Sequence, residues 1–204
     1  MRMFFTRTMT LSVMGIILIG SQQLSALKEK KMSETQVLEW VREAPFSDPI
    51  KQRANPNFSY EEWFAKGRKL PGSVNTLVEL LEKEDLQHPS GDGMRVAYAL
   101  GWIGDRSQRA IIALVRCLGS KDLALRIEAV AALGRIGDAS VVPLLEGLVK
   151  DAQQDRNIRG NACVSLGHLG VRSAEPVLNE ALQDPDQFVV LCAREGLKLL
   201  PSGR

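Results

Sequence analysis

From about residue 92 onward, apolar positions fall at helical spacing and are interrupted by paired glycines. In "RIEAVAALGRIGDAS", Ile127, Val130, Ala131, Leu133 and Ile136 recur at three- and four-residue intervals, which predicts an amphipathic helix. The pattern stops at Gly137, since glycine adopts the left-handed conformation that ends helices. The same phrase returns as "AYALGWIGD" at 97–105 and "VSLGHLGVR" at 164–172. Gly101, Gly134 and Gly167 are 33 residues apart, and so are Gly104, Gly137 and Gly170. A weaker copy, "CAREGLKLLP", closes the series. A fixed period of this size predicts a solenoid of stacked units. The inner glycine of each pair lies within the helical pattern, where it costs about 1 kcal/mol relative to alanine. Its recurrence predicts a second helix packed closely against that point.

A second helix follows each turn. Ser73, Ser107, Ser140 and Ser173 precede apolar runs at spacings of 34, 33 and 33, and serine is a favoured N-cap. Pro143 and Pro176 stand three residues after two of these serines, where a first helical turn tolerates proline. Between units, Asp122 stands four residues before Arg126, and Asp155 four before Arg159. That spacing predicts an Asp that caps the next helix and pairs with an Arg one turn on. The Asp–Arg ladder would tie neighbouring units together; the alternative is a binding strip.

The Asp-x-x-x-Arg-x-x-Ala start, the Ala-Leu-Gly-x-Ile-Gly-Asp turn and the Val-Pro-Leu-Leu second helix resemble HEAT-like repeats of the phycobilisome-lyase type. The resemblance covers residues 92–200, with a less regular unit at 59–84. It implies an all-α, right-handed solenoid of antiparallel helix pairs, about four units long, with one curved partner-binding face. Gly93 and Val190 occupy the Arg positions of the first and last regular units, so Asp92 and Asp186 would lack that partner.

The N-terminal third departs from the period. "SETQ" at 33–36 and "SYEE" at 59–62 are capping boxes, starting one helix to about Arg42 and another to about Leu70. Between them, Pro45, Pro49 and Pro56 predict an extended loop. Further upstream, Arg2 and Arg7 precede an apolar run from Met9 to Gly20, and small Ser25 and Ala26 follow. This is the layout of a signal peptide cleaved near Ala26, because the run falls short of the ~20 residues that span a bilayer. An uncleaved anchor through residues 9–20 is the alternative. The expected organisation is therefore 1–26 signal peptide or anchor, 27–58 N-terminal helix and linker, and 59–204 repeat domain.

Composition supports this picture. Aromatics make up 5% of the 204 residues while apolar residues make up 45%, so the core is built from short aliphatic side chains. The chain carries 26 basic and 24 acidic residues, and removal of Arg2 and Arg7 leaves 24 of each. A neutral body with no basic run argues against nucleic-acid binding. Cys117, Cys163 and Cys192 each lie in an apolar helical stretch, which predicts buried free thiols rather than a disulfide framework.

Candidates for chemistry are few. The two histidines, His88 and His168, are followed by Pro89 and Leu169, so the His-Glu pairs of the HEAT-like deoxyhypusine hydroxylases are missing. No metal, phosphate-loop or nucleophile motif appears, so no catalytic residue, metal or cofactor is expected, and no small-molecule substrate is evident. One variable column stands out: the residue between the turn glycines is Trp102, then Arg135, then His168. Translation along a solenoid would line these up as a ridge of residue types that anchor protein interfaces. The alternative is a tolerant turn position that drifts. A second candidate surface is the exposed side of the second helices, with Arg109, Arg116, Glu146, Lys150, Glu175, Asn179 and Glu180; the alternative is an ordinary solvated face. The leading expectation is an exported, periplasmic or secreted, non-enzymatic scaffold for a protein partner. A phycobilin-lyase-like accessory subunit acting on a tetrapyrrole-bearing protein is the alternative.

Overall fold

The computed structural model describes residues 32–43, 59–70 and 72–201. The expected signal segment at 1–26 and the proline-containing loop lie outside the described residues. Those described belong to one compact unit and are all-helical. Ten α-helices run in order: α1 Glu34–Glu43, α2 Tyr60–Arg68, α3 Ser73–Lys83, α4 Asp92–Ile103, α5 Gln108–Cys117, α6 Leu123–Ile136, α7 Val142–Lys150, α8 Arg156–Leu169, α9 Glu175–Ala181 and α10 Gln187–Leu199.

The period of 33 becomes a stack. Helices α2, α4, α6, α8 and α10 are the first helices of successive units, each packed on the next. Second helices α3, α5, α7 and α9 pack onto the following first helices, α4, α6, α8 and α10. Core positions repeat with the same step: Leu100, Leu133 and Leu166 are fully buried, as are Ala97, Val130 and Cys163. Cys163 thus takes a place that its sister units give to Ala and Val.

The inner glycines sit where first helices meet. A Cβ on Gly101 would lie 2.8 Å from the Ala132 Cα, and one on Gly134 would lie 2.5 Å from the Ser165 Cβ. At Gly167 the opposing group is the Cα of Gly196, 2.6 Å away. The column therefore removes side chains at the seam between helices and lets backbones approach. Ser165 uses the proximity, donating its Oγ proton to the Val130 carbonyl at 3.0 Å.

The start signals divide. Ser33 and Gln36 form the expected capping box, and Ser59 caps α2 by accepting from the Glu62 N–H. Ser107 likewise caps α5. Ser73, Ser140 and Ser173 do not act as N-caps. Ser73 is the first residue of α3 and donates to the Gly67 and Leu70 carbonyls at 2.6 and 2.9 Å. In the later units a 3-10 turn, Ala139–Val141 or Arg172–Ala174, precedes the second helix and contains the serine. Asp138 caps the first of these turns through the Ser140 N–H. Pro143 and Pro176 do fall in the first turns of α7 and α9.

Asp122, Asp155 and Asp186 cap α6, α8 and α10, accepting from backbone N–H groups two residues on at 2.7–2.8 Å. The expected Asp122–Arg126 and Asp155–Arg159 pairs are not formed. A capping carboxylate is drawn onto the helix end, whereas an Arg one turn later points sideways across the stack. Arg159 instead pairs with Asp184, in the loop that joins α9 to α10, so the expected tie to Asp155 is replaced by one to the connection leading into the next unit. Arg126 has no such partner among the described residues, and its Nε is buried without a hydrogen bond. Asp92 finds a partner in Arg42 of α1, and Asp186 lies 3.6 Å from Arg156.

At the N-terminal end, α1 buries Val37 and Val41 fully. Trp40 on α1 stacks on Trp63 of α2 with ring centroids 6.2 Å apart, and its ring fills the space beside Gly67.

The three cysteines are free thiols. Burial pushes Cys117 up to about 11 and Cys163 up to about 12, while Cys192 is half-buried and also raised. Because the thiolate is the nucleophile, alkylation of the folded protein is expected to be slow and to begin at Cys192. Intact-mass analysis should show one adduct before denaturant is added; two or three adducts on the folded chain would contradict this burial.

Candidate functional site

Helices α4, α6 and α8 each end at a glycine in the left-handed region, with φ of 68, 75 and 65° at Gly104, Gly137 and Gly170. The residue two positions before that glycine lies in the last helical turn. A common turn geometry and a step of 33 residues give Trp102, Arg135 and His168 equivalent places on successive helices. All three line one open cavity of about 660 Å³, together with Arg68, Gly101, Gly104, Arg106, Gly134 and Ile136.

Two members of this wall were not singled out from the sequence. Arg68 ends α2 and stands 34 residues before Trp102, just as Gly67 stands 34 before Gly101. It is the fourth member of the same column, one unit earlier. The signal was present in that spacing but obscured, because "AKGRKLPG" lacks the Leu-Gly-x-Ile-Gly phrase. Arg106 follows the turn, and its Nε donates to the Ile136 carbonyl at 3.0 Å, bridging from one unit to the end of the next first helix.

Arg135 is the best-fixed group of the row. Its guanidinium carbon lies 4.9 Å from the Tyr98 ring centroid and 5.5 Å from that of Trp102. Its Nη1 donates to the Glu128 carboxylate at 2.8 Å. Burial pushes the Glu128 carboxyl above its ordinary value, although Arg135 pulls the other way. Gly101 makes room for this arrangement, since a Cβ there would lie 2.8 Å from Arg135 Nη1. Trp102 is half-buried, and its indole Nε1 is buried without a hydrogen-bond partner. Arg68 and His168 are exposed, and neither has an ion-pair or hydrogen-bond partner among the described residues.

Arg116, Glu146 and Asn179 are not part of the cavity wall. Arg116, on α5, donates to the Leu81 and Glu84 carbonyls at 2.7 Å each, closing the C-terminal end of α3. Glu146 and Asn179 lie on α7 and α9, half-buried and exposed respectively. Arg109 is held by Glu82 in a two-bond pair at 2.7 and 2.5 Å. His88 is exposed beside Asp85, with its Nδ1 3.1 Å from the carboxylate. Among the described residues no group of three His, Cys, Asp or Glu is placed to hold a metal ion, and no helix is long and apolar enough to cross a membrane.

A stack of helix pairs with a fixed step, closed by glycine turns, is a HEAT-like repeat fold. Residues 93–156 match the family of HEAT repeats. No curated protein matches the chain. Among solved structures it is similar to the complex of CpcE and CpcF of phycocyanin lyase from Nostoc sp. PCC7120, with a TM-score of 0.57 and 21% identity. That match covers 84% of this chain and 66% of the other. It is also similar to human deoxyhypusine hydroxylase in complex with glycerol, with a TM-score of 0.53 and 21% identity, over 80% of this chain and 62% of the other. The chain therefore spans just under two thirds of the length of either, and the likeness is one of fold.

Proposed function

We propose that this chain is an exported, non-enzymatic scaffold that holds a protein partner at the cavity lined by Arg68, Trp102, Arg135 and His168. The observation that carries this reading is the convergence of four first-helix ends on one open surface, with an aromatic ring and a guanidinium already packed together. Trp and Arg dominate binding energy at protein interfaces, and a fixed side chain loses less freedom on binding than a mobile one. The HEAT-like fold supports a scaffold role, because stacked repeats offer extended contact area. Export is supported by Arg2 and Arg7 ahead of the apolar run at residues 9–20.

The test is crosslinking of the native protein, identification of the partner and measurement of its affinity. Trp102→Ala is expected to weaken that partner by about thirtyfold, or roughly 2 kcal/mol. An affinity unchanged by both Trp102→Ala and Arg135→Ala would remove the cavity from the interface. Mass spectrometry of the native N-terminus checks export; an unprocessed cytosolic chain would overturn it. The second reading, a phycobilin-lyase-like accessory subunit, is favoured by the fold shared with the CpcE–CpcF complex. Pigment copurifying with the native chain would support it over the scaffold.

A further inference from the structure

We infer that the segment received by this cavity is an extended acidic peptide of the partner protein, a deduction that rests on the scaffold reading above. The wall presents three guanidinium groups and an imidazole, and no Asp or Glu lines it among the described residues. The carboxylates nearest in the chain are already engaged. Glu128 accepts from Arg135. Asp105 accepts from the Ser107 backbone and hydroxyl, and Asp138 from the Ser140 N–H. Hydrogen bonds from Ser140 hold the Asp138 carboxyl below its ordinary range, with the charge of Arg106 adding to the effect.

Donors are left over. A guanidinium carries five N–H groups in a planar fork that matches a carboxylate in two places. Arg68 has none of its five engaged among the described residues, and Arg106 makes its one bond through Nε. The two arginines stand on the same wall as Trp102, whose ring already accepts a cation on one face. Carboxylates on a flexible chain would complete these forks, and the chain's apolar stems would cover the indole.

Length favours a peptide over a lone anion. Neighbouring packed helices lie 8–10 Å apart, so four first helices space the row over about 27 Å. An extended chain of about eight residues covers that distance. A phosphate or a single carboxylate would engage one guanidinium and leave the rest of the row empty. A nucleic-acid strand is also long enough, and the single-stranded DNA probe below separates it from an acidic peptide.

The probe is a fluorescein-labelled octaglutamate peptide, titrated with the full chain and followed by anisotropy. Octaglutamine and a single-stranded DNA octamer serve as comparisons. The acidic peptide is expected to bind at least about tenfold more tightly than either. Arg68→Ala should weaken it by about fivefold to tenfold, and among the described residues the side chain has no hydrogen-bond or ion-pair partner to lose. Arg194→Ala, on the exposed side of α10, should change it by less than about twofold. Equal binding of the glutamine or DNA probe, equal effects of Arg68→Ala and Arg194→Ala, or no binding at all would overturn the acidic-peptide assignment. If the crosslinked partner still depends on Trp102 while the acidic peptide fails, the scaffold reading stands and only the ligand's chemistry is wrong. If neither depends on the row, both fall.

Discussion

Gly167→Ala is expected to lower the thermal midpoint of this protein by about 6 °C, the equivalent of roughly 2 kcal/mol. The added methyl would lie 2.6 Å from both the Cα and the carbonyl oxygen of Gly196. These are backbone atoms of α10, so no rotamer change relieves the overlap and the two helices must part. Parting them loosens the buried contacts on either side of the seam, including Cys163 and Ala193. Alanine's better helix propensity returns up to about 1 kcal/mol, which is why the net loss is smaller than the overlap alone suggests. Gly147→Ala provides the opposite sign. It lies exposed within α7, and a Cβ there meets nothing within 4 Å, so it should stabilise by about 0.5–1 kcal/mol. Paired melting curves check both. A neutral Gly167→Ala would mean that the seam is not in backbone contact.

The second large effect is expected at Asp184. Its carboxylate pairs with Arg159, and both side chains are only 10% exposed. The Arg159 Nε is buried without a hydrogen bond, and Asp184 is the guanidinium's one carboxylate partner among the described residues. Asp184→Asn removes the counter-charge and leaves a cation in a poorly solvated place, at a cost of about 3 kcal/mol. Replacing both partners removes the stranded charge. Arg159→Met with Asp184→Asn should therefore recover at least about half of that loss. Denaturant unfolding of the two single variants and the double variant measures the coupling. Strictly additive losses would show that the two side chains are not energetically coupled.

Comparison of these two sites explains what the sequence could reveal. The glycine column was legible because the event it encodes, a backbone touching a backbone, demands one residue type at one position in every unit. The cysteine positions and the capping aspartates were legible for a similar reason: each is fixed by its own helix. Arg159 was read as the partner of Asp155 because i to i+4 spacing describes neighbours on a single helix. Its actual partner lies 25 residues on, in the loop after α9, where no local period points. The serines misled in the same way. They kept the period, but a 3-10 turn inserted before α7 and α9 moved the helix start past them. The site itself was three-quarters visible. Trp102, Arg135 and His168 share a column whose repeats are plain, whereas Arg68 belongs to a unit whose consensus has decayed around an unchanged spacing.

The glycine seam also governs distance. Where backbones rest on one another, the gap between first helices cannot be compressed or padded by swapping side chains. Trp102, Arg135 and His168, on the helices joined by that seam, are therefore held on a ruler whose divisions belong to the chain rather than to whatever occupies them. Duplicating a whole 33-residue unit would add one division and leave the others in register. An insertion of any other length inside a first helix would rotate every later mark away from the common face.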